Sequence, residues 1–301
     1  MNAFTQSPFK GNPAVVCLLD ATADELWMKK VTKEFNQPVT AFIQPKQDGS
    51  YHLRWFSQTT ELKHCGHGTI GCAHILWEQE FLKADETIKF HTYSGLLFAN
   101  LTESGIQLDF PAYQSKQIEA PQELSSALNV PLTLVEKNQL GYLVEMKDED
   151  MVRSIKPDFK LLDSLTVTGI IVTSKSNSSS FDFVSRYFAP SIGIKEDQVT
   201  GSAHCALGPY WSKKLGKNPV MGYQASERGG VIKVKVDGDR VQLISHAVIL
   251  LKGIFLDNQV IKSKYFRHTS FCRDVVLFII FIALGTNLRR YVYSLRKCHI
   301  F

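Results

Sequence analysis

Apolar positions fall into two periodicities along this chain. Trp27, Val31 and Phe35 recur at i, i+4 and i+8 behind Thr22-Ala-Asp-Glu25, a capping-box pattern, and predict a helix with one buried stripe. Around it the period is two or the run is short and apolar. Ala14 to Leu19, Thr40 to Gln44, Tyr51 to Phe56, Thr87 to Tyr93, Leu96 to Leu101 and Gly105 to Phe110 read as strands. Between them, Gly68 to Phe81 is apolar on most sides (Ile70, Ala73, Ile75, Leu76, Trp77), the pattern of a helix enclosed by strands rather than laid on a surface.

A second set follows Pro111 to Pro121, which reads as a linker. Gly141 to Met146, Gly169 to Thr173 and Phe181 to Phe188 read as strands, and Gly201 to Leu215 as another apolar helix opening on glycine. Ile232, Val234 and Val236 face one way, Asp237-Gly238 turns the chain, and Val241 and Leu243 return. Val248 to Phe255 is expected as the last strand. The halves repeat one plan, an α+β arrangement of two pseudo-symmetric lobes, each a central helix wrapped by mostly antiparallel strands. The expected boundaries are 1–112, 113–256 and a C-terminal appendage, 257–301, outside that plan. Val275 to Leu284 is ten apolar residues, about half of what a bilayer-spanning helix needs. It is read first as a buried or aggregation-prone appendage, and only then as a membrane-surface anchor.

Charge sharpens this division. The net charge is +5, but residues 257–301 carry eight Lys/Arg against two Asp/Glu, which leaves 26 against 27 in residues 1–256. The body therefore has no electrostatic footprint for nucleic acid. The six cysteines (Cys17, Cys65, Cys72, Cys205, Cys272, Cys298) show no paired spacing and no Cys/His quartet, so no metal is expected. The N-terminus is polar by residue 5, with no basic region before an apolar run, so no signal peptide is expected, and reduced thiols in the cytoplasm are.

Candidate chemistry sits at two helix entrances, Cys65-Gly-His-Gly-Thr69 and Thr200-Gly-Ser-Ala-His204. The free N–H groups and dipole of a helix start favour an anion, so two facing entrances would grip a small carboxylate. Ordinary helix capping, with glycines for tight turns, is the plain alternative. Cys65 alone reads as a small buried thiol rather than a nucleophile, and His64, His74 and His204 as structural.

Four ordered motifs carry a resemblance. Asn2-Ala-Phe-Thr5 with Phe9-Lys-Gly-Asn-Pro-Ala14 is similar to D-A-F-T…F-x-G-N-P-A, the opening of the phenazine-biosynthesis-like (PhzF) family. Trp55-Phe-Ser57, Glu61-Leu62 and Cys65-Gly-His-Gly-Thr69 resemble its W-F-T-P-x-x-E-L-x-x-C-G-H-A-T. Arg186-Tyr-Phe-Ala-Pro190 and Glu196-Asp-Gln-Val-Thr-Gly-Ser-Ala-His204 resemble R-Y-F-A-P…E-D-P-V-T-G-S-A-H, and Tyr210-Trp211 and Arg228-Gly-Gly230 continue in order. The similarity runs from about residue 2 to 255, opens a few residues into the first strand, and is expected to be nearest the animal branch of the family.

The resemblance implies a diaminopimelate-epimerase-like fold, an interdomain active site and isomerisation by proton transfer on a small carboxylate. It implies no cofactor, a biosynthetic role and often a homodimer. It places His67, Asp197 and Ser202 on catalytic positions, with Cys65, Gly66, Gly68, Thr200 and Gly201 around the substrate. Cys65 matches one catalytic cysteine of the related epimerases and Thr200 the place of the other, which argues against a two-thiol racemase. The family's N-L-S-E-T-A-F, whose Glu shuttles the proton, is Asn36-Gln-Pro-Val39-Thr-Ala-Phe42 here. Val39 cannot carry a proton, and general acid–base catalysis contributes about 10²–10⁴-fold. His67 or Asp197 would have to act instead, or the chain is a pseudoenzyme that keeps the cleft as a ligand- or protein-binding module. Asn2, Gln58 and Gln198 are milder departures.

Overall fold

The computed structural model describes residues 1–257 and 296–301. Val275 to Leu284, the apolar run of the appendage, lies outside them. The first helix, α1 (Glu25–Phe35), buries Trp27 and Val31 of the predicted stripe with Met28 beside them, while Phe35 is only half-buried. Its cap differs from the expected capping box. Asp24 accepts the Trp27 N–H at 2.8 Å, while the Thr22 hydroxyl accepts from the Gln44 amide instead. A carboxylate three residues before a free amide is the better acceptor at a positive helix end.

Each lobe is organised by one enclosed helix. α2 (Gly66–Glu78) buries Ile70, Cys72, Ala73, Ile75, Leu76 and Trp77. The strands Val15–Leu19, Thr40–Pro45, Tyr51–Phe56, Ile88–Thr92, Gly95–Thr102 and Gly105–Pro111 form the wrap of that lobe. Three short helices absent from the sequence reading, α3 (Gln122–Leu128), α4 (Glu149–Ser154) and α5 (Phe159–Ser164), cover the outer face of the second lobe around Leu124, Val152 and Leu162. The second central helix, α6 (Gly201–Leu215), has the predicted bounds. Pro209 lies inside it and cannot donate to the carbonyl of Cys205. The Tyr113 N–H takes that carbonyl at 2.9 Å, so the proline leaves no orphaned acceptor.

The lobes share one core. Ile70 and Leu76 of α2 and Ala203, Leu207 and Trp211 of α6 belong to a single apolar cluster. The sheet is continuous too. Ile106–Pro111 of the first lobe pairs antiparallel with Arg240–Ser245 of the second. That strand and Gly230–Asp237 form the predicted hairpin, with Asp237 opposite Arg240, so the two-residue turn is Gly238-Asp239, one residue later than expected. Gly238 takes φ 58°, which a residue without Cβ adopts freely.

The expected last strand is two. Ala247–Val248 pairs with Asn2–Ala3, and Gly253–Asp257 pairs with Arg296–Ile300. The end of the appendage is thus an integral strand. Ile300 also pairs with Cys17, the Phe301 N–H donates to Val16, and Phe301 is buried. Among the described residues no helix is long and apolar enough to cross a membrane.

Candidate functional site at two helix entrances

The starts of α2 and α6 meet where the lobes join. A Cβ built on Gly66 would lie 3.6 Å from the Cα of Gly201, and the ring of Phe4 closes over both glycines at 3.4–3.8 Å from their would-be Cβ positions. The structure therefore brings together the residues singled out in the sequence. His67, Ser202 and Asp197 are partly buried around this junction, and Cys65, Gly68, Thr200 and Gly201 are buried.

The entrances differ in their caps. At α2 the Gly68 N–H donates to the Cys65 thiol at 3.4 Å, and the Thr69 N–H and hydroxyl both donate to the Cys65 carbonyl. Sulfur is a weak acceptor, so this cap is a soft one. Its geometry also fixes Gly68, because a Cβ there would sit 2.8 Å from the Trp55 ring. At α6 the capping residue is Thr200, whose side chain makes no cap bond. Its hydroxyl donates to Asp197 Oδ2 at 2.7 Å instead. The first-turn amides of Gly201 and Ser202 and the Ser202 hydroxyl have no partner among the described residues.

Asp197 is held from several sides. Asn12 Nδ2 donates to its Oδ1 at 2.7 Å, Thr200 to its Oδ2, and Gln224 Nε2 to its main-chain carbonyl at 2.7 Å. Gln224 also accepts the Thr200 N–H at 2.8 Å, which fixes the residue that begins the helix. Asn12 and Gln224 went unassigned in the sequence. The former lies in the matched F-x-G-N-P-A string, but its 185-residue separation from Asp197 is bridged only by the fold.

His67 stands in the first turn of α2. Its Nδ1 lies 3.6 Å from Cys65 Sγ. Burial pushes its pKa below the usual imidazole value, and the negative charge of Asp197 counters this in part. The ring is therefore neutral at neutral pH, with a nitrogen lone pair free to accept a proton. Burial pushes the Cys65 thiol up to about 12, so it stays an uncharged S–H, in keeping with the small-thiol reading. Val39 is 3% exposed within the shared apolar core, and its carbonyl accepts the Val15 N–H. His204, in the first turn of α6, bonds the Thr200 carbonyl through Nδ1 at 2.8 Å and lies against Phe183, away from solvent. No cluster of three or more His, Cys, Asp or Glu able to hold a metal occurs among the described residues.

Comparison with known proteins gives this junction a context. An uncharacterised isomerase of Halalkalibacterium halodurans is 48% identical over 257 residues, 85% of this chain and 97% of that protein. A mouse phenazine biosynthesis-like domain-containing protein 2 is 37% identical over 278 residues, 84% of this chain and 96% of its own. A bacterial isomerase is thus more similar than this animal protein, a correction to the expected nearness of the animal branch. The crystal structure of a PhzF-family phenazine biosynthesis protein from Enterococcus faecalis superposes with a TM-score of 0.77 at 37% identity, over 81% of this chain and 93% of its own. The family model described as phenazine biosynthesis-like protein, PhzC-PhzF, matches residues 1–253. With the lobes, the motifs and the paired helix entrances in the family's order, this chain belongs to the phenazine biosynthesis-like (PhzF) family.

Proposed function

We propose that the chain is an isomerase that relocates a proton on a small carboxylate held between the starts of α2 and α6. The observation that carries this is the uncapped start of α6 beside a neutral His67: one offers N–H donors to an anion, the other a base. The substrate carboxylate lies on the Gly201 and Ser202 amides and the Ser202 hydroxyl. His67 takes a proton from the adjacent carbon, and the charge left on the substrate is stabilised by the same donors. His67 then returns that proton at another carbon, with the Asp197 carboxylate stabilising the protonated ring in between, so nothing is oxidised and no cofactor enters. The isomerase names of the relatives support this reading.

A second reading has one observation in its favour. Val39, at the position of the family's proton-carrying Glu, is buried in apolar core with no titratable group in its place. On that reading the cleft binds and does not turn over. Deuterium uptake from D₂O into a panel of small hydroxy, amino and dienoic acids, followed by NMR, separates the two. Uptake that His67→Ala or Asp197→Asn abolishes supports the isomerase. Acid-induced shifts of the Gly201 and Ser202 amide signals with no uptake favour the binding module.

A further inference from the structure

Asn12 lies at the junction with an unusual set of bonds. It is 0% exposed, and its side-chain amide donates both to Asp197 Oδ1 at 2.7 Å and to the Val199 carbonyl at 2.8 Å. Its own Oδ1 is buried with no partner. A residue serving packing alone has no use for an orphaned acceptor, which an apolar side chain of the same size would avoid. The turn that delivers Asn12 is fixed to the opposite lobe. Phe9 and Gly11 take φ 65° and 69°, and a Cβ on Gly11 would lie 2.1 Å from the Ala3 carbonyl. The Gly11 N–H donates to Gly229 at 2.7 Å, and Arg228 donates to the carbonyls of Gly11 and Lys10 at 2.8 and 3.1 Å. The approach of the Asn12 amide is thus set by backbone on both sides rather than by a free rotamer.

We propose that Asn12 is a positioning residue, which reaches from the first lobe to hold the Asp197 carboxylate of the second in one orientation toward His67. Thr200 holds the other carboxylate oxygen from within its own lobe, so Asn12 is the member of the set that ties the acid to lobe docking. That Asp197 then serves proton transfer rests on the isomerase reading above; its placement does not.

The test is an NMR titration of the His67 ring in the full chain, for the natural protein, Asn12→Leu and Asn12→Ala. Cys65 and Asp197 are the groups that face this ring or act on its charge. With Asn12→Leu the carboxylate loses its donor and swings away, so His67 loses the charge that props its pKa up, and the midpoint falls by about half a unit. If Leu disturbs folding, as the spectrum will show, Asn12→Ala carries the same expectation. A folded variant whose His67 titrates with the natural protein overturns the proposal. Where a substrate from the acid panel is found, kcat falls about tenfold to a hundredfold with KM little changed; an equal loss in KM with kcat intact contradicts positioning. No uptake by the natural protein, with the midpoint shift present, sinks the isomerase reading and leaves the placement of Asp197 standing.

Discussion

The two helix entrances follow one plan and use their polar groups differently. At α2 the capping acceptor is a thiol, the third residue must be glycine because Trp55 lies against it, and His67 stands in the first turn. At α6 the capping hydroxyl is turned away to Asp197, the third residue is Ala203, and the histidine of the first turn, His204, faces the core. The duplicated fold therefore yields an asymmetric site. One lobe brings a neutral histidine to the junction; the other brings bare amides and a carboxylate that accepts from Asn12 of the first lobe. A symmetric pair of proton carriers would need like groups on both sides, and Thr200 opposite Cys65 does not provide them.

Substitutions at the two entrances should have unequal effects. The largest effect is expected at Asp197→Asn, which keeps the size of the side chain and removes the negative charge that acts on His67. Deuterium uptake should fall by about 10²–10⁴-fold, measured by NMR on whichever acid of the panel exchanges. The two first-turn histidines should separate next. Burial holds His204 near a pKa of about 4 against 6.5 in the unfolded chain. The native state thus binds fewer protons than the unfolded one between these values. The stability His204 contributes is complete above about pH 6.5 and is lost as pH falls toward 4, up to about 3 kcal/mol by urea unfolding. His204→Gln should flatten that slope. Gly68→Ala, where the new methyl meets Trp55 at 2.8 Å, should cost about 1–3 kcal/mol by thermal unfolding. At the matching place in α6 an alanine already stands. Smallest is Cys65→Ser, which exchanges a weak cap acceptor for a better one and should raise stability by at most about 1 kcal/mol.

Much of this was legible in the sequence, for identifiable reasons. α6 has the predicted bounds because glycine opens it and Leu215-Gly216 closes it, and Tyr51–Phe56 is found as read because its pattern is bounded on both sides. The short helices α3, α4 and α5 were missed because six or seven residues give barely two turns of periodicity. Asp24 displaced Thr22 as the cap through charge, which pattern alone does not weigh. The site residues were reached through local motifs, each within a few positions of a helix start. Asn12 and Gln224 were not, since the bonds that give them a role cross from one strand to another far along the chain. Position 39 shows the reverse case. Its departure from the family was plain in the sequence, and the structure adds that the valine is packed as core.

The assay that decides between a resident base and a lost one sets the natural protein beside Val39→Glu in D₂O uptake. If His67 is the base, the natural protein takes up deuterium, His67→Ala does not, and Val39→Glu adds little. Uptake that appears only with Val39→Glu would contradict that role for His67: the proton carrier would then be missing from this chain, and the cleft a binding site alone.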